Sequence, residues 1–137
     1  MTDHLNIEIL GEPIPQGSKK AYIRGKRVNL VEANPGLKAW RKAVTAQARP
    51  HAGAYTGNRP LHVTYRFFLP RPKSVRRWLP WVKPDLDKLI RAVNDGLSDA
   101  GVWDDDSRVT TITAWKVYED PGYRPGAFIT IREETQE

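Results

Sequence analysis

Seven aspartates fall within 22 positions of this chain: Asp85, Asp87, Asp95, Asp99, Asp104, Asp105 and Asp106. Carboxylates serve as ligands for hard divalent cations and as acids or bases in hydrolysis. Asp85 and Asp87 flank Leu86, where an apolar pattern of helical spacing begins and runs through Leu89, Ile90, Val93 and Leu97. Residues two apart on a helix diverge by about 200°. A first acid held in the extended cap conformation escapes that geometry, so both carboxylates can lean to one side. Asp87, Arg91 and Asp95 then continue at steps of four along one polar stripe. Asp104, Asp105 and Asp106 stand just before a strand that starts near Val109. Acids at a helix start also cap it and complement its dipole, and a tight turn often takes one or two Asp. Three in a row repel one another unless neutralised, and Mg2+ does that with carboxylate oxygens and retained waters. Two Asp from a helix start and one from the neighbouring strand would make a three-carboxylate site for phosphate chemistry.

The charge distribution agrees with a polyanionic partner. The 137 residues carry a net charge of +6, and the excess is uneven: residues 1–83 hold 16 basic and four acidic side chains, residues 84–137 six basic and 12 acidic. Such a basic segment suits nucleic acid. The chain contains no cysteine, which excludes a disulfide framework, a thiolate metal site and a thiol nucleophile. No stretch approaches the ~20 apolar residues of a membrane helix, and Met1–His4 lacks the order of a signal peptide. A single cytoplasmic domain over residues 1–137, with no membrane association, is expected.

The elements that must position the acids are legible in the pattern. Asn6–Leu10 alternates as a strand, and the prolines of 12–20 exclude regular structure there. Residues 21–23 and 28–31 flank a basic hairpin tip at Arg24–Arg27. Residues 36–49 predict a helix capped by Asn34, with Leu37, Trp40, Val44 and Ala48 on one face. Leu61–Leu69 is the clearest strand, and 70–83 is an irregular basic loop. The second helix starts at the aspartates and ends at Gly101. Val109–Tyr118 and Ala127–Ile131 predict the last two strands, the former with imperfect alternation. The order points to an α+β fold, two helices packed on a mixed β-sheet.

Taken together, Pro84-Asp85-Leu86-Asp87, Arg91, Asp95-Gly96-Leu97, Gly101-Val102 and Asp105-Asp106-Ser107-Arg108-Val109 resemble the RusA family of Holliday junction resolvases. Gly11-Glu12-Pro13 followed by Lys19 and Lys20 is similar to the family's opening. The resemblance spans roughly residues 7–131. It implies a Mg2+-dependent endonuclease, with Mn2+ as a substitute ion, that cuts four-way DNA junctions as a homodimer in recombination and repair. It also implies a small α+β domain whose sheet takes part in dimerisation. It places the essential aspartates on Asp85, Asp87 and Asp106, the neighbouring acid on Asp105, and the catalytic lysine on Arg91. Two positions depart from the family pattern: Lys88 stands for the usual Asn, and Arg91 for the usual Lys. Arginine keeps the charge but cannot transfer a proton, so Arg91 would clamp the phosphate or offset developing charge. Lys88 is a candidate to support the site beside it.

Lys19, Lys20, Arg24, Lys26, Arg27, Lys73, Arg76 and Arg77 are candidate contacts to DNA phosphates. Trp78 and Trp81 are expected to pack the basic loop against the core or a partner, with stacking on unpaired bases as the alternative. Trp40, Trp103 and Trp115 are expected in the core. His4, His51 and His62 show no ligand spacing. Beside the nuclease stands a second possibility, a non-catalytic branched-DNA-binding module that keeps its acids for a structural cation.

Overall fold

In the computed structural model, which describes residues 4–17, 19–24, 27–32, 34–120 and 122–135, with backbone alone for 19–32, the elements follow the predicted order. They are β1 (Leu5–Leu10), β2 (Lys19–Arg24), β3 (Arg27–Glu32), α1 (Leu37–Ala48), β4 (Leu61–Leu69), α2 (Leu86–Asp99), β5 (Val109–Tyr118) and β6 (Gly126–Glu133). Short 3-10 turns stand at Arg49–His51 and Asp106–Arg108. β2 and β3 form a two-stranded hairpin whose pairing closes at Arg24 and Arg27, so the strands begin earlier, at Lys19, than the prolines suggested.

The remaining strands make a mixed sheet in the order β1-β6-β4-β5. β6 runs antiparallel to both β1 and β4, and β5 runs parallel to β4. Parallel neighbours cannot be joined by a tight turn, and α2 is the crossover that joins them. β4 sits centrally and alternates without a fault: Leu61, Val63, Tyr65, Phe67 and Leu69 are buried beneath the helices, while the residues between them are partly exposed. Ile7 and Ile9 from β1, Ile129 and Ile131 from β6, and the apolar faces of α1 and α2 complete one core.

Local chemistry accounts for the helix ends, with one correction. α1 is not capped by Asn34, whose side-chain amide instead donates to the Pro15 carbonyl at 3.1 Å. Its N-cap is Gly36, held at φ +89° without a side-chain cap. α2 ends as its sequence predicts. Gly101 lies at φ +76°, its N–H bonds the Ser98 carbonyl, and the Val102 N–H bonds the Leu97 carbonyl at 3.1 Å. That is the Schellman closure, in which glycine supplies the left-handed residue.

Gly96 of the Asp95-Gly96-Leu97 motif has a packing role. A Cβ there would lie 2.5 Å from Val44 Cγ1, where α1 crosses α2. The Thr45 hydroxyl donates to the Gly96 carbonyl at the same crossing. Overpacking of this kind costs about 1–3 kcal/mol, against a gain of about 1 kcal/mol in helix propensity. Gly96→Ala is therefore expected to lower the urea midpoint at unchanged m-value. Adding Val44→Ala opens space at the contact and is expected to recover part of the loss, which a double-mutant cycle measures.

Candidate active site

The loop from Pro70 to Pro84 delivers Asp85 to the start of α2. Asp85 is the N-cap, in the extended conformation at φ −69°, ψ 134°, and its carbonyl accepts the Leu89 N–H at 3.1 Å. A capping aspartate ordinarily accepts a backbone N–H from the first turn. Asp85 makes no such bond. Its exposed carboxylate lies 3.5 Å from Lys88 Nζ, one turn along. Asp87, in the first turn, is exposed and has no hydrogen bond or ion pair among the described residues. Arg91 is likewise exposed on the next turn.

The three consecutive acids divide their roles. Asp104 pairs with Arg108 at 3.2 Å. Asp105 caps the 3-10 turn, its Oδ2 accepting the Ser107 N–H at 3.0 Å. The Ser107 side chain and backbone, through those hydrogen bonds, hold the Asp105 carboxyl below the usual carboxylate range. Asp106 alone has no side-chain partner among the described residues and points into solvent at the first position of the turn. Repulsion among the acids is thus relieved in part by Arg108 and by capping, which the sequence did not reveal.

The 3-10 turn packs on α2, which brings Asp106 within electrostatic reach of two groups beneath it. Burial raises the pKa of Asp95, with Arg41 and Arg91 opposing the rise and Asp106 adding to it. Tyr65, which reaches up from β4 to donate to Asn94 Oδ1 in the core, is pushed up mainly by burial; the Asn94 bond opposes this and the Asp106 charge adds to it. Asp95 shares the Asp87 and Arg91 stripe, and sequence alone assigns it no role; the Asp106 charge acts on it across the packing of the 3-10 turn on α2. Asp85 is coupled to a different group, Lys116 of β5.

Carboxylate oxygens open to solvent have the chemistry that a hard divalent cation requires. Asp85, Asp87 and Asp106 supply it. Among the described residues, however, no group of three or more His, Asp or Glu side chains is close enough to hold a metal ion.

The basic candidates differ in what they are free to do. Lys73 and Arg76 are exposed on the loop. Arg77 is partly buried and engaged within it: it donates to the Leu79 carbonyl and the Tyr118 hydroxyl, and its guanidinium lies 4.2 Å from the Trp81 ring centroid. The side chains of Lys19, Lys20, Arg24 and Arg27, and all of Lys26, lie outside the described residues. The root of their hairpin is nonetheless tied to the site, because the Gln16 N–H bonds the Lys88 carbonyl at 2.9 Å. Lys19 follows three residues later, a reach of at most about 11 Å. His62 has a structural role, bonding Thr113 Oγ1 through Nε2 and accepting from Arg132 at Nδ1.

Trp40 and Trp103 are buried as expected, but Trp115 is not a core residue. The β4–β5 register shifts after Leu61, so Thr111, not Thr110, pairs with His62. Trp115 consequently faces away from the helices, paired with Arg66, and is 37% exposed. Trp78 and Trp81 are exposed as well, Trp81 to 74%, so neither packs its loop into the core. The outer face of the sheet carries a groove of about 960 Å3, lined among others by Arg66, Phe68, Trp78, Trp115, Tyr123 and Phe128. Arg66 lies between two rings there, 5.1 Å from Trp115 and 5.5 Å from Phe128.

No helix among the described residues is long and apolar enough to cross a membrane. Comparison with known proteins agrees with the acid-bearing crossover. The chain is 28% identical over 145 residues to Uncharacterized protein YqaN of Bacillus subtilis (strain 168), an alignment covering 96% of this chain and 97% of that one. The family model for Endodeoxyribonuclease RusA matches residues 11–132, a span that takes in the Gly11 opening, both helices and every candidate acid. With nearly its whole length matched, the chain belongs to the RusA family of endodeoxyribonucleases.

Proposed function

We propose that this protein resolves four-way DNA junctions by paired symmetric nicks in opposite strands, acting as a Mg2+-dependent homodimer in recombination and repair. One observation carries the reading. Asp104 and Asp105 have structural partners, whereas Asp87 and Asp106 have none among the described residues and Asp85 leaves its capping bond unmade.

Asp85, Asp87 and Asp106 would hold the Mg2+. Bound there, the ion would lower the pKa of a water and polarise the phosphate. Arg91, permanently charged, clamps the scissile phosphate and offsets the charge that develops on it. Lys88 balances Asp85 from 3.5 Å away. Lys73 and Arg76, with Lys19, Lys20 and Arg24 of the hairpin, hold the flanking backbone of the branched DNA, and Arg77 stiffens the loop they approach. A junction presents its scissile strands in pairs, which suits two sites related by a two-fold axis. The exposed aromatic face of the sheet supports the dimer, since large exposed apolar patches mark interaction sites.

The test is cleavage of a synthetic four-way junction with and without Mg2+, with linear duplex as control. Paired nicks that need the ion and spare the duplex are expected. Two observations favour a second reading, a branched-DNA-binding module without cleavage: Arg91 cannot give up a proton, and among the described residues no three acids converge. Tight junction binding with no cleavage in Mg2+ or Mn2+ would establish that reading instead.

A further inference from the structure

We propose that Lys116 is the positioning residue of this site: its ammonium gathers the carbonyls of Val82 and Pro84 and so fixes Asp85 at the mouth of α2. The inference rests on the nuclease reading above. Lys116 lies 31 residues beyond Asp85 in the chain, on edge strand β5, where it pairs with Phe67. Phe67 is buried beneath the helices, so Lys116 points to the same side. A lysine on an edge strand ordinarily carries its head group out to water along its apolar stem. This one turns inward. Its Nζ donates to the Val82 carbonyl and to the Pro84 carbonyl, both at 2.7 Å.

From Val82 to Pro84 the loop makes no other hydrogen bond among the described residues. It contains no helix or strand between Leu69 and Leu86. Its other described anchors lie further back. Arg71 bonds the Glu119 and Arg77 carbonyls, and the Tyr118 N–H bonds the Trp78 carbonyl. Lys116 is the last of these anchors before the aspartate, and it holds the carbonyl of the residue immediately preceding it. Hydrogen bonds from a charged donor are short and about twice as strong as neutral ones. An ammonium has three donors, and two are used here. The Asp85 charge acts on the Lys116 ammonium as well, and opposes the effect of burial on it. Removing the ammonium frees both carbonyls and lets the segment carrying Asp85 move relative to Asp87, which is fixed in the helix.

The absence of cysteine allows a clean test. Lys116→Cys places the only thiol in the chain. Its thiolate displaces bromide from 2-bromoethylamine, forming a C–S bond and restoring an ammonium at nearly the lysine's length. Removing a group that orients a metal ligand costs about 10–100-fold in metal affinity or activity. Lys116→Cys and Lys116→Met are each expected to lower the junction-cleavage rate and the Mn2+ affinity, read by electron paramagnetic resonance, by that factor. Junction binding in EDTA is expected to stay within about twofold. Aminoethylation of the Cys variant is expected to restore both lost quantities. Wild-type cleavage or wild-type Mn2+ affinity in the unmodified variants would overturn the proposal. So would failure of the aminoethyl form to recover, or a parallel loss of junction binding, the signature of general unfolding. If the wild type itself binds Mn2+ but cuts no junction, the resolvase reading fails while the Mn2+ arm still reads Lys116.

Discussion

Asp87→Asn is expected to reduce junction cleavage by more than about 100-fold, because loss of groups that merely orient a metal ligand already costs 10–100-fold. Junction affinity in EDTA is expected to hold or rise, since one negative charge leaves a surface that must meet phosphates. The fold has little reason to change. Asp87 is exposed, makes no bond among the described residues, and Asn loses only its dipole term, worth about 0.3–1 kcal/mol at a helix start. Asp105→Asn is the informative companion. Its oxygen still accepts the Ser107 N–H, so cleavage is expected to change far less than in Asp87→Asn. Equal losses from the two substitutions would sink the division of roles among these acids, and unchanged cleavage in Asp87→Asn would remove it from the site. Quantified nicking of a labelled junction across a Mg2+ titration gives both results.

The second large effect is expected on the opposite face of the sheet. If the groove around Trp115 is the dimer contact, Trp115→Glu sets two like charges into one apolar interface, because a two-fold axis repeats every substitution. Like-charge placement in an interface costs several kcal/mol, and each 1.4 kcal/mol is tenfold in Kd. A rise in the dimer Kd of about 100-fold or more is therefore expected, visible by light scattering behind size exclusion. Nicking is expected to continue but to lose its pairing, giving singly nicked junctions. A Trp115→Glu protein that remains as dimeric as the wild type, or a monomeric wild type with paired nicking, would overturn this assignment. The same substitution leaves the core intact, since Trp115 lies outside it.

The sequence carried the elements further than it carried the surfaces. β4 and α2 were legible because each buries one face under a regular period, which writes itself into the order of residues. Trp115 was misplaced because a register shift near Thr110 reverses which residues of β5 face the helices, and a one-residue slip moves every following side chain to the other side. Asn34 was misplaced because an amide that can cap a helix can equally bond a carbonyl 19 residues away, and only tertiary contact decides. Asp85, Asp87 and the run Asp104–Asp106 stood out by type and spacing, and the family resemblance alone singled out Asp106 within that run. The bonds that occupy Asp104 and Asp105 depend on Arg108 and on a turn geometry, which spacing does not encode. Lys116 was invisible for a like reason: it is a single lysine in an unremarkable strand until the chain brings Val82 and Pro84 to it.

The pairing of β1 with β6 also bears on how the chain comes to be folded. Leu5 lies opposite Ile131, a separation of nearly the whole polypeptide. During synthesis β1 must wait for the last strand, while β4, α2 and β5 form a contiguous crossover that can assemble earlier. All the candidate acids belong to that earlier unit. Because the start of β1 lies beside the end of β6, a permuted chain in which a linker joins β6 to β1 and new termini lie in the exposed stretch around Gly57 is expected to retain the same site, with β1 then made beside its partner.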